Sequence, residues 1–490
     1  MRRCVARSGS TKRGRGDECG HSLAGIAAVC MSTEGHAGAG LYEEPARAVD
    51  ATELIDRAPF SLFQLRTVVL CAIIAMIDGF DTQAIAFVVP ALAHDWNVDV
   101  ASFGPVFAAG LLGLAVGAFF FGPVADRFGR KRVILICIGI VGVFALQATT
   151  AGTITELLFW RFLTGVGLGG AMPNIIALTS EYTPARLRAT VITLMFCGFP
   201  LGSTLGGFLA TYLVPVLGWR SVFWLGGALP LVMLGALVSW LPESIYYLIA
   251  RGCSSAEIAK LLQGIAPSQS SGGGQRFIAA QHNGKEGFPV RLLFTPERRP
   301  VTLLLWVAFF MNLLVMYFLV NWMPALFSRA GMPVRAAMIS TSILNLGGVV
   351  GAIVLGRVID RVAPHRALGA AYAAAACFIV LIAFAGTNLR VLIPGLFFTG
   401  FGVVGAQIGM NALAAGMYPA AIRSTGVGWA LGVGRIGSIV GPTIGGWLLA
   451  LGWSTAGLFA LAAAPAFVAA ISVGVLGMLP AHGLSSQSKE

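Results

Sequence analysis

Twelve long apolar runs constrain this 490-residue chain more than any single motif. They lie near 66–90, 103–124, 132–150, 157–179, 189–214 and 220–241, then 300–327, 336–357, 366–385, 390–413, 424–450 and 455–479. A helix needs about 20 apolar residues to cross a bilayer. Unpaired backbone groups cannot remain in hydrocarbon, so only helices and closed barrels span it. These runs are long and lack strand-like alternation, which selects helices. Only 11% of residues are charged and 57% are hydrophobic, against about 25% charged in an ordinary soluble domain. The expected fold class is all-α and integral to the membrane, with twelve transmembrane helices in two pseudo-symmetric six-helix bundles.

The halves are related by an internal repeat. GPVADRFGRKR at 122–132 is echoed by GRVIDRVAPHR at 356–366, pairing Gly122 with Gly356, Asp126 with Asp360, Arg127 with Arg361 and Arg132 with Arg366. Each copy lies between two apolar runs, the pattern of a transporter built from repeated bundles. The expected organisation is an N-terminal bundle at 66–241, a central loop at 242–299 and a C-terminal bundle at 300–479. Tails at 31–65 and 480–490 flank them. Residues 1–30 are expected to be a non-native or disordered extension, with Met31 as the start. In the central loop, Ser254 and Glu257 form a capping-box pattern for a short helix, and PSQSSGGGQ reads as a flexible linker.

Lys and Arg in short loops set orientation. The turns after even-numbered spans hold Arg127, Arg130, Lys131 and Arg132, then Arg186 and Arg188, then Arg361, Arg366 and Arg423. The opposite turns are poorer: the first holds His94, Asp95 and Asp99, and the last has no basic residue. Both termini and the central loop are therefore expected in the cytoplasm. The net charge of +12 reflects this topology and the basic N-terminal tail, because no basic, aromatic-interleaved domain remains for nucleic acid. The eight cysteines form no even extracellular set, so neither a disulfide nor a metal site is expected.

Asp78 and Asp81 lie three residues apart, deep in the first span. A carboxylate at mid-membrane costs about 2.5–3.5 kcal/mol on insertion scales, so such residues usually face a cavity or a proton path. Desolvation and mutual repulsion favour one of the two taking a proton. Arg161 opens the fourth span, followed by Gly165, Gly167, Gly169 and Gly170, small residues that let helices approach. Arg161 has two readings, snorkelling to the surface or pointing into a central cavity. Arg435 lies 12 residues beyond Arg423, too deep to snorkel easily. Its planar guanidinium suits a carboxylate; a structural pair with a buried acid is the alternative. Tyr317, Asn321, Trp322, Gln407 and Asn411, with Asn312 and Asn345, supply polar and aromatic groups suited to a small amphipathic ligand or to gluing helices together.

GPVADRFGRKR resembles the signature between spans two and three of the major facilitator superfamily, and LPES at 241–244 resembles its element ending span six. DGFDTQAI, DRVAPHR and YPAAIRSTGVGWALGVGRIGSIVGP together resemble the aromatic acid:proton symporter family. The resemblance runs from about 50 to 480. It implies the major facilitator fold, alternating access, and a monomer importing a small aromatic carboxylate with protons and without a cofactor. It assigns proton coupling to Asp78 and Asp81, and makes Arg161, Arg423 and Arg435 family arginines. Gly122, Asp126, Arg127 and Arg130 are then expected to gate, with Asp360, Arg361, His365 and Arg423 in the second half. Pro364 and His365 stand where the first copy has Arg130 and Lys131, so the second loop is expected to latch more weakly. Three alternatives are a proton-coupled efflux antiporter, a carrier of another solute such as a sugar, and a receptor. Span five reads GFPLGSTLGG, with Ser203 where the antiporter signature has proline. The chain shows neither a nucleophile motif nor a nucleotide loop that would make it an enzyme.

Overall fold

The computed structural model describes residues 48–265, 276–278, 290–359, 361–418 and 422–479. The expected extension, the linker at 267–275, the C-terminal tail and Asp360 lie outside the described residues. In chain order the helices are α1 (Ala51–Arg57), α2 (Leu62–Asp95), α3 (Gly104–Phe128), α4 (Arg130–Gln147), α5 (Ile154–Glu181) and α6 (Ala185–Phe196). They continue with α7 (Gly198–Leu217), α8 (Arg220–Trp240), α9 (Ile245–Ala250), α10 (Ser255–Gln263), α11 (Arg299–Arg329) and α12 (Val334–Ile359). The last are α13 (Pro364–Ala385), α14 (Leu389–Gly400), α15 (Ala406–Met417), α16 (Arg423–Ala450) and α17 (Thr455–Leu476). Two three-residue strands, β1 (Ala48–Asp50) and β2 (Arg276–Ile278), pair in parallel.

Eleven described segments are long and apolar enough to cross a membrane, with α6 and α7 forming one and α14 and α15 another. Helix α16 falls short because Arg435 and eight glycines dilute its hydropathy; it is nonetheless a 28-residue helix packed beside α11. The long rods start where polar side chains satisfy free backbone N–H groups. Ser61 and Gln64 form a reciprocal capping box on α2, and Thr153 and Ser454 cap α5 and α17. Ser254 accepts from the Glu257 N–H at the start of α10, as its sequence pattern predicts. A five-residue π-helical turn, Phe401–Gly405, joins α14 to α15.

Packing repeats the sequence symmetry. Helix α3 packs on α5 and α2 on α7 in the first half, as α12 packs on α14 and α11 on α16 in the second. Across the halves α7 meets α12 and α16 meets α3, while α2 meets α11. Glycines set the closest approaches. A methyl group at Gly165 would overlap the Gly110 carbonyl, and one at Gly169 the Leu114 carbonyl. Gly347 and Gly400 make the corresponding contacts in the second half, against Phe397 and Leu344. A Gly169→Val substitution should therefore force α3 and α5 apart and abolish monodisperse protein on detergent size exclusion. Gly122→Ala should preserve folding, because nothing lies within 4 Å of that position.

The hydrophobic cores are distributed unevenly along the bundle. One cluster joins both halves at the end away from the signature loops, taking in Phe87 and Phe103 together with Trp322 and Phe459. At the loop end each half has its own cluster, around Ile134, Leu178 and Tyr182 in one and Leu368, Met410 and Tyr418 in the other. The halves are thus joined at the far end, and their apolar cores part toward the loops.

Candidate functional site

The two aspartates of α2 have different surroundings. Asp81 is fully buried and accepts two bonds from Arg161 Nη1, at 3.0 and 2.9 Å. Arg161 Nη2 donates to the Asp81 backbone oxygen at 2.8 Å, and the guanidinium sits 6.0 Å from the Phe223 ring centroid. Its Nε–H has no partner among the described residues. Burial makes each charge depend on the other, since an ion without its partner would be left uncompensated. Arg161 therefore points inward and is bound to the first half, rather than snorkelling out.

Asp78 is 3% exposed and, among the described residues, accepts only from the Thr82 hydroxyl, at 3.2 Å. It has no ion-pair partner among the described residues, although Arg435 on α16 lies within electrostatic reach. Half-buried Arg435 donates to the Tyr317 hydroxyl at 3.3 Å. That neutral partner leaves the guanidinium with unspent charge and donors. The two arginines thus differ: Arg161 is paired with a carboxylate, whereas Arg435 has no ion-pair partner among the described residues.

The remaining polar residues divide between packing and open hydrogen-bonding capacity. Trp322 donates to the Pro442 oxygen at 2.9 Å and meets the Phe107 ring edge-on at 5.1 Å, so it helps close the far end. Asn321 and Asn345 donate to backbone oxygens one turn earlier. Gln83 reaches across the halves to Val320 O at 3.4 Å. Asn312 Nδ2 donates to Gln407 at 2.5 Å, while Asn312 Oδ1 and Asn411 Oδ1 have no partner among the described residues. A cavity of about 20 Å³ beside Arg161, Thr82 and Asn321 has room for about one water.

The signature loops do not bridge the halves through any described ion pair. Arg130 pairs with Glu181 within the first half, and Arg251 donates to the Arg127 backbone oxygen. Asp126 and Arg361 are exposed, and neither makes an ion pair with the opposite half among the described residues; open space surrounds Gly122. His365 packs against Gly477 of its own half, and Arg423 donates to the Tyr418 oxygen at 3.4 Å. The expected charge contacts between loops are therefore absent from this conformation among the described residues, which fits the parted cores at this end.

Sequence reading missed the carboxylates that organise this rim. Glu243 of LPES accepts from the Lys131 N–H at 3.0 Å and the Ser244 N–H at 2.8 Å. It thereby caps α4 from a distant segment, directly beside Gly129, whose φ of +101° favours glycine. Ser244 donates to Glu181 at 2.7 Å. The motif was visible, but its target more than 100 residues away was not. A Glu243→Ala variant should lose about 1 kcal/mol, the usual worth of a helix cap, read as a lower melting temperature in detergent. Thr82 was also missed, although its place one turn beyond Asp78 was readable.

The family model described as Major Facilitator Superfamily matches residues 71–389 and 331–490. A gallate transporter of Pseudomonas putida is 42% identical over 425 residues, covering 87% of this chain and 94% of that protein. The 4-hydroxybenzoate transporter PcaK of Pseudomonas putida is 39% identical, covering 88% and 97%. Among solved structures, the inward-open xylose transporter XylE of E. coli superposes with a TM-score of 0.67 at 16% identity, covering 84% of this chain and 95% of that one.

Proposed function

The chain belongs to the major facilitator superfamily, and we propose that it imports an aromatic carboxylate together with protons by alternating access. The observation carrying this reading is a carboxyl group and a guanidinium, one on each half, neither with an ion-pair partner among the described residues. Among the described residues, Asp78 on α2 has no cationic partner, while Arg435 on α16 bonds a phenol. The names of the gallate and 4-hydroxybenzoate transporters support the aromatic class. The signature loops and parted cores support a cytoplasm-facing state, in a bacterial inner membrane with both described ends of the chain on the cytoplasmic side.

In this mechanism the incoming carboxylate replaces the Tyr317 hydroxyl on Arg435, and Asp78 takes a proton. Each step removes one uncompensated charge from the bilayer interior, lowering the cost of closing the bundles around the solute. Opening toward the loops then lets water rehydrate both groups, releasing acid and proton. Asp81 and Arg161 remain paired as a neutral, rigid element of the first half. The rim network of Arg130, Glu181 and Glu243 would stay with its own half, while Asp126, Asp360, Arg361, His365 and Arg423 engage when the loop end closes. The carrier acts as a monomer and requires no cofactor beyond the coupling proton.

Uptake of labelled 4-hydroxybenzoate tests the anchor. Arg435→Lys keeps the charge but loses the planar two-point donor, so KM should rise about tenfold or more with normal membrane insertion. Unchanged KM would remove Arg435 from carboxylate binding.

A further inference from the structure

The second half carries a buried amide cluster that the proton and carboxylate steps do not use. Asn312 of α11 is 0% exposed and its Nδ2 donates to Gln407 of α15, yet Oδ1 has no partner among the described residues. One turn along α15 from Gln407, on the same face, Asn411 also has an unpartnered Oδ1. Buried polar atoms are nearly always satisfied, so two such acceptors in one cluster call for an explanation. Gln407 and Asn411 are only half buried, so their face is reachable by a solute.

The cluster shares a depth with the carboxylate anchor. Gly434 lies against Phe309 and Leu313 of α11, and Gly437 against Phe310. Arg435 therefore sits at the height of Phe309–Leu313, the level of Asn312. The π-helical turn ends two residues before Gln407, a feature that often marks functional sites. Glycines hold that turn tightly on α12, since a methyl at Gly405 would meet the Gly351 backbone.

Resting on the reading above, we propose that Asn312, Gln407 and Asn411 form a subsite for ring hydroxyl groups, selecting phenolic over unsubstituted aromatic acids. A phenolic O–H supplies the donor that the orphan acceptors lack. It also accepts, so it can complete the amide pair whichever way round that pair is oriented. An unsubstituted ring would seal these acceptors in without a partner, and sites built for a hydroxyl discriminate strongly against analogues lacking one.

The test compares uptake of benzoate, 4-hydroxybenzoate and 3,4,5-trihydroxybenzoate by the full chain, in wild type, Asn312→Leu and Gln407→Leu. Wild type should favour a hydroxylated acid over benzoate by about tenfold or more in kcat/KM. Either variant should bring that ratio toward one. A purely structural role would lower all three rates together and leave the ratio intact, which would overturn the assignment. Equal wild-type use of benzoate and both phenolic acids would also overturn it, while leaving aromatic-acid import standing. Transport of none of the three would instead defeat the import reading. The wild-type comparison stands even if Asn312→Leu fails to reach the membrane, and Gln407→Leu supplies a second test at a half-buried position.

Discussion

An Asp78→Asn variant should insert normally and lose all accumulation of aromatic acid against a gradient, while retaining exchange of labelled for unlabelled acid across the membrane. Asparagine keeps the size of the side chain and can still pair with the Thr82 hydroxyl that now meets the carboxylate at 3.2 Å. What it removes is the capacity to gain and release a proton. With position 78 permanently neutral, the bundles can close around substrate, but no proton gradient drives the cycle in one direction. Counterflow in proteoliposomes separates the two activities. Accumulation by the variant at wild-type levels would transfer the coupling role away from Asp78.

The second large effect concerns stability. Arg161→Gln or Asp81→Asn alone should each destabilise the first bundle by about 3–5 kcal/mol, because each leaves one charge buried without its partner. The double variant should regain most of the melting temperature, since both charges are then gone. Detergent-solubilised protein would report this through a thermodynamic cycle. Additive losses would mean that the two side chains act independently, against the three hydrogen bonds joining them.

Much of this architecture was legible because membrane helices obey a length rule and two loops repeat a motif. Gly165 and Gly169 announced a close helix contact through their spacing, and Ser254 announced the start of α10. The acidic pair of α2 was equally visible as an expensive feature in an apolar run. Which aspartate is free was not, because the answer depends on Arg161, 80 residues away. The same limit hid the cap that Glu243 places on α4, a contact made only by the folded bundle. Arg435 shows the reverse case: its depth singled it out, and its single phenolic partner then distinguished it from Arg161. The rim arginines were expected as a latch between halves, yet those described make their contacts within one half, since alternating access gives such residues different partners in different states.

The most direct test of proton-coupled import is to add 4-hydroxybenzoate to weakly buffered proteoliposomes containing the full chain and to follow external pH. The account predicts immediate alkalinisation as acid anion and proton enter together, abolished by a protonophore and absent with Asp78→Asn. Uptake of the labelled acid with no accompanying proton movement would contradict it.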